Sequence, residues 1–150
     1  MKILIVSGTG KGKTKLAAFD AALQDAGIAN FNLIYLSSII PAGSKIVCGK
    51  YNSNGYGNKL YVVMSKCFQV VKNKYAWAGL GWVQDKFGRG VLVEAGGESK
   101  RKVKDEIKLT FESMKAYRKI GKIRMKIVGV KCEGEPVCAL VAAVFKEEGW

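Results

Sequence analysis

The chain has no histidine among its 150 residues. That absence excludes Ser-His-Asp and Cys-His nucleophile systems and any metal site that relies on imidazole. Proton transfer must fall to carboxylates, tyrosine, cysteine, lysine or water. Proline is scarce as well, with two residues against 18 glycines, which points to compact turns rather than linkers. Four cysteines, Cys48, Cys67, Cys132 and Cys138, form no C-x-x-C pair. Neither a zinc framework nor a redox motif follows from them, and reduced core thiols are expected. No apolar run reaches membrane-spanning length, and the one at Ile3–Val6 is too short for a secretory signal. A cytoplasmic protein without metal or membrane partner is the expectation. Acidic residues are also few: 12 Asp+Glu face 25 Lys+Arg, a net charge of +13. The basic residues are dispersed lysines rather than an RNA-recognition signature or a basic helix, so a solvated surface and no nucleic-acid partner are expected.

The composition that remains, 49% hydrophobic and 25% charged, suits one globular domain over residues 1–150. Lys2–Val6 reads as a buried strand, followed by a glycine-rich turn at Ser7–Lys13. A helix is predicted from Thr14 to Ala26, stopped by Gly27. Phe31–Leu36 is a second strand, and residues 49–59 form a loop by composition. Leu60–Met64, Ala76–Val83 and Gly90–Ala95 follow as strands. Val103, Ile107, Phe111 and Met114 recur at helical spacing, which predicts a long helix over Ser99 to Ile120. Ile123–Val130 and Cys138–Phe145 close the set as strands. Strands outnumber helices and the late ones lack crossover helices, so the fold class is α+β with mostly antiparallel sheet.

Two segments invite a chemical reading. Ser7-Gly8-Thr9-Gly10-Lys11-Gly12-Lys13-Thr14 imitates a phosphate-binding loop, which requires G-x-x-x-x-G-K-[ST]. Gly12-Lys13-Thr14 fits, yet Ser7 stands where the first glycine belongs. Glu94, after Val91-Leu92-Val93, is the acidic residue that would hold magnesium in such a site. The repeated strand–helix crossovers of those folds are missing. The plain reading is a glycine turn leading into a helix; the alternative is a nucleotide- or nucleic-acid-binding module. The second segment is Ser37-Ser38, at a strand end before Ile39-Ile40-Pro41, where serines alone would only cap a turn.

The serine pair does not stand alone. The run SGTGKGKTKLAAFDAALQDAGIANFNLIYLSSIIP, Ser7 to Pro41, resembles the pyruvoyl-dependent arginine decarboxylases. The likeness covers the glycine run, the LAAFDAAL helix, AGI-x-x-x-N and SSIIP in one register. It continues through Ala78-Gly79-Leu80-Gly81-Trp82, Val91–Gly96 and Cys138–Phe145. Ala42 departs from the family, where many relatives repeat proline.

The resemblance implies a four-layer αββα sandwich and a self-processing zymogen. By that likeness the Ser38 hydroxyl attacks the Ser37 carbonyl, giving an ester by an N-to-O acyl shift. Elimination leaves dehydroalanine at position 38, which hydrolyses to a pyruvoyl group with release of ammonia. Residues 1–37 become the β chain and 38–150 the α chain. The pyruvoyl group is the covalent cofactor, an electron sink that forms a Schiff base with L-arginine and releases CO2 and agmatine. The family's general acid corresponds to Glu94, expected at a strand end where burial beside Ala95, Gly96 and Gly97 helps it hold a proton. Asp20 corresponds to the residue that selects substrate; with Leu16 and Leu23 it falls on one helix face, where the arginine stem would lie on leucines and its guanidinium on the carboxylate. Asn32 matches the family asparagine beside the cofactor. Trimers or pairs of trimers, with sites between subunits, and a role in polyamine synthesis or acid resistance also come with the likeness. Decarboxylation of another amino acid by the same chemistry is the alternative enzyme.

Overall fold

Strand β1 (Lys2–Lys11) starts on the apolar run Ile3–Val6 but does not stop there. It continues through the glycines, pairing antiparallel with β9 (Val137–Glu148) from Leu4 opposite Val144 to Lys11 opposite Val137. The computed structural model, which describes residues 1–150, thus has strand from Ser7 to Lys11 where a turn over Ser7–Lys13 was expected. Helix packing explains the glycines there. A Cβ on Gly8 would lie 2.2 Å from the Ala22 carbonyl oxygen, and one on Gly10 would lie 2.4 Å from the Ala22 nitrogen. Only glycine lets α1 (Lys15–Ala26) come this close to β1. Ala18, Ala22 and Ala26, four residues apart, form its buried inner stripe.

The ends of α1 fall within one residue of the expected ones, and Gly27 is the expected stop. Thr14 is the N-cap, its side chain accepting from the Ala17 N–H at 3.1 Å. Gly27 ends the helix at φ 79° and donates its N–H to Gln24. Thr14 is therefore occupied as a cap, and the Gly12 N–H donates to the Pro136 carbonyl at 3.1 Å. Gly12-Lys13-Thr14 is not a phosphate-wrapping loop, which removes the structural basis of the nucleotide-site reading.

The other elements are β2 (Asn32–Tyr35), β3 (Ile39–Ile40), β4 (Lys45–Cys48), β5 (Lys59–Gln69), β6 (Tyr75–Gln84), β7 (Gly90–Gly97), α2 (Lys100–Met114) and β8 (Arg124–Lys131). They form a five-stranded sheet, β2-β5-β9-β1-β4, and a four-stranded sheet, β3-β7-β6-β8. Only β1·β4 and β2·β5 are parallel, so the α+β class with mostly antiparallel sheet holds. Helix α2 begins within a residue of the expected start, with Ser99 as its N-cap, but ends at Met114 instead of Ile120. The inward stripe Val103, Ile107, Phe111, Met114 has Arg118 next in register, leaving no apolar group to hold another turn.

Three apolar clusters organise these parts. Ile3, Ile5, Val63, Val141 and Ala143 of the five-stranded sheet meet Leu80, Trp82 and Leu92 of the four-stranded one. Ala18, Ala22 and Leu23 of α1 pack on Leu60, Val62, Leu140 and Ala142. Val103, Ile107 and Phe111 of α2 pack on Val91, Val93 and Ala95 of β7. Strand β9 contributes to the first two clusters from its opposite faces, which is why Val137–Val144 is an unbroken apolar run. All four cysteines are free, but Cys48 is exposed and Cys67 half-buried, so only Cys132 and Cys138 are the core thiols expected. Burial pushes the Cys138 thiol up to about 11.

Candidate active site

The two serines lie where the chain leaves one sheet for the other. Strand β2 belongs to the five-stranded sheet, and just beyond it the Leu36 N–H still donates to the Val62 carbonyl at 2.9 Å. Strand β3, three residues on, belongs to the four-stranded sheet, with Ile39 opposite Val91 and Ile40 opposite Gly90 of β7. Ser37 and Ser38 make the crossing. The Ser38 carbonyl accepts from the Leu92 N–H at 2.8 Å, and the Ser37 carbonyl accepts from the Ile39 N–H, a tight turn centred on Ser38.

Anchoring Ser38 to Leu92 brings it to the residue two places further along β7. Side chains alternate along a strand, so Leu92 and Glu94 share a face. The Ser38 hydroxyl donates to Glu94 Oε1 at 2.7 Å. The pair is 56 residues apart in sequence. Chemically, it is a hydroxyl beside an acceptor carboxylate, next to a peptide carbonyl already held by an N–H. That is the equipment for an intramolecular attack by oxygen on the neighbouring carbonyl. Glu94 does not end its strand, since β7 continues to Gly97, and it is exposed rather than buried. The expected help from burial is therefore not supplied by this chain alone.

The other predicted residues are not gathered here. Asn32 opens β2, where its side-chain amide donates to the Gly57 carbonyl at 2.6 Å. Leu16 is 75% exposed on α1 and Asp20 is exposed with it. Leu23 is only 8% exposed and sits in the core beneath the helix, so it does not share an open face with the other two. Two contributors escape sequence reading, the N–H groups of Ile39 and Leu92, because backbone donors leave no mark in residue type. The Cys, Asp and Glu side chains form no cluster of three or more able to hold a metal. No helix is long and apolar enough to cross a membrane.

The family profile described as pyruvoyl-dependent arginine decarboxylase (PvlArgDC) matches residues 2–149. The chain belongs to that family. Its Ser37-Ser38 step and Glu94 lie within the matched span. A protein named pyruvoyl-dependent arginine decarboxylase 2 from Archaeoglobus fulgidus is 33% identical over 101 residues, covering 65% of this chain and 64% of the relative. A pyruvoyl-dependent arginine decarboxylase from Halobacterium salinarum is 38% identical over 100 residues, covering 65% and 62%. The namesake from Methanopyrus kandleri is 59% identical over 44 residues, 29% of each chain. The aligned part thus spans less than two thirds of the length of these relatives.

Proposed function

We propose that the chain is a self-processing, pyruvoyl-dependent decarboxylase that converts L-arginine to agmatine and CO2. The observation that carries this reading is the 2.7 Å hydrogen bond from Ser38 to Glu94 at the inter-sheet crossing. In the uncleaved chain, Glu94 takes the proton of the Ser38 hydroxyl as its oxygen attacks the Ser37 carbonyl carbon. The Ile39 N–H, already on that carbonyl oxygen, stabilises the negative charge that develops there. Residues 1–37 and 38–150 are the expected fragments.

Ser38 stands where the cofactor carbonyl would be, and the fit is favourable: β3 and the Leu92 bond fix the residue, and a carboxyl group is already beside it. The bound group supplies an electron sink for the departing carboxylate. Glu94, kept at the same place by β7, then delivers a proton to the substrate α-carbon. No histidine is required at any point.

Substrate choice falls to Asp20, whose carboxylate matches a guanidinium fork, with Leu16 against the aliphatic stem. Both are exposed on α1. A trimer, or a pair of trimers, in which a neighbouring copy presents its α1 to Ser38 and Glu94 would complete the site. Asn32 is available at the β2 edge for the same assembly. A cytoplasmic setting suits the four free thiols.

The reading is tested by following CO2 release from L-arginine, ornithine and lysine with the wild-type chain and Ser38→Ala. Wild type should act on arginine in preference, and the variant should neither cleave nor turn over any of them. Preference for ornithine or lysine would transfer the assignment to another amino acid. Full activity in Ser38→Ala would end it.

A further inference from the structure

Strand β5 holds the chain on both sides of the Ser38–Glu94 contact. At its edge with β2, the Val62 carbonyl accepts from the Leu36 N–H at 2.9 Å, which ties down the residue before Ser37. On its inner face, the Ser65 hydroxyl donates to the Ala95 carbonyl at 2.6 Å, which ties down the residue after Glu94. Ser65 is only 5% exposed.

Val63, Ser65, Cys67 and Gln69 alternate onto the face of β5 that meets the four-stranded sheet. Three of them reach across it. Ser65 does so at 2.6 Å, the Cys67 thiol addresses the Gly97 carbonyl at 3.7 Å, and the Gln69 amide donates to the Tyr75 carbonyl at 3.3 Å. The Ser65 bond is the shortest of the three and the one adjoining Glu94. Packing alone does not call for a hydroxyl here, since burying one costs free energy unless it is bonded. Gly96 shows how closely the strands approach: a Cβ there would lie 3.3 Å from the Cys67 Cβ. Glu94 itself is exposed and its carboxylate is in no ion pair. Its place beside Ser38 is therefore set by where the β7 backbone runs.

We propose that Ser65 is a positioning residue for self-processing. It fixes β7 against β5 at the residue after Glu94, while β5 also holds the approach to Ser37 through Leu36. The distance between the Ser38 hydroxyl and the Glu94 carboxylate is thereby set from one strand. Ser65 touches neither reacting atom, and the inference rests on Glu94 serving as the base. A base works only within hydrogen-bond reach of its proton, roughly 2.6–3.2 Å. A misplacement of about 1 Å can cost on the order of a hundredfold in rate.

A double-mutant cycle on the cleavage rate, followed after cell-free synthesis of the full chain, tests the role. It compares wild type, Ser65→Ala, Glu94→Gln and the double variant. Ser65→Ala should slow fragment formation by about tenfold or more. In the Glu94→Gln background the same change should slow it by less than about twofold, because the group being positioned no longer takes the proton. A hydroxyl that served only stability would give the same factor in both backgrounds. That additive result, or cleavage of Ser65→Ala at the wild-type rate, overturns the proposal. Should Ser65→Ala fail to fold by circular dichroism, Ser65→Cys, a weaker donor of similar size, enters the same cycle under the same criterion. Cleavage of Glu94→Gln alone at the wild-type rate refutes the base itself, and the positioning role falls with it.

Discussion

Replacing Glu94 by glutamine separates its chemical role from its structural one. Glutamine keeps an oxygen that can accept from Ser38 but cannot carry away the proton. A hydrogen bond to a charged group is worth about 1.5–3 kcal/mol where water is excluded. Glu94 is exposed, so its share of folding stability drops to about 1 kcal/mol or less. The variant should therefore fold. Loss of a general base slows a reaction by about 10²–10⁴-fold. An exposed carboxylate belongs near the lower limit, and ~100-fold is ~2.7 kcal/mol on the barrier. The assay is the time course of fragment formation after cell-free synthesis, read on denaturing gels, with circular dichroism as the check on folding. Cleavage of Glu94→Gln should be slower by about two orders of magnitude. Folded variant that cleaves at the wild-type rate would show that the 2.7 Å contact is not the base.

Two further predictions concern the scaffold. Phe111 is fully buried between α2 and β7, so Phe111→Ala should cost about 3–5 kcal/mol in urea unfolding; a loss under ~1 kcal/mol would mean that α2 is not anchored there. Hydrogen bonds from Lys146 and then Lys59 hold Glu148 at about 2, below its ordinary 4.5. A depressed carboxylate stabilises the fold above its unfolded value and loses that contribution as pH falls. The urea midpoints of wild type and Glu148→Gln should therefore differ slightly at pH 6 and converge between about pH 4.5 and 2. A gap that stays constant over that range would contradict the linkage.

What the sequence could and could not reveal divides along physical lines. The helix starts near Thr14 and Ser99 and the stop at Gly27 were legible because helix ends are set by local chemistry. Gly8 and Gly10 misled because a glycine run has the same composition whether it turns or makes room for a helix. Strand β3 has two residues, too few for any periodicity. Strand β4 was hidden by Lys45 and the preceding Pro41–Ser44 turn. At the site, the partnership of Ser38 and Glu94 came from family likeness, and the fold supplies its cause in the β3–β7 pairing. The spacing of Leu16, Asp20 and Leu23 placed them on one helix face, yet the width of the buried stripe decided that Leu23 lies under it.

The central claim is that this chain makes its cofactor from Ser38. Intact-mass spectrometry of the purified protein tests it directly. The account predicts two species, residues 1–37 and residues 38–150, the larger with a pyruvoyl group in place of its α-amine and resistant to amino-terminal sequencing. A single uncleaved chain of 16.3 kDa in a preparation that decarboxylates arginine would contradict it.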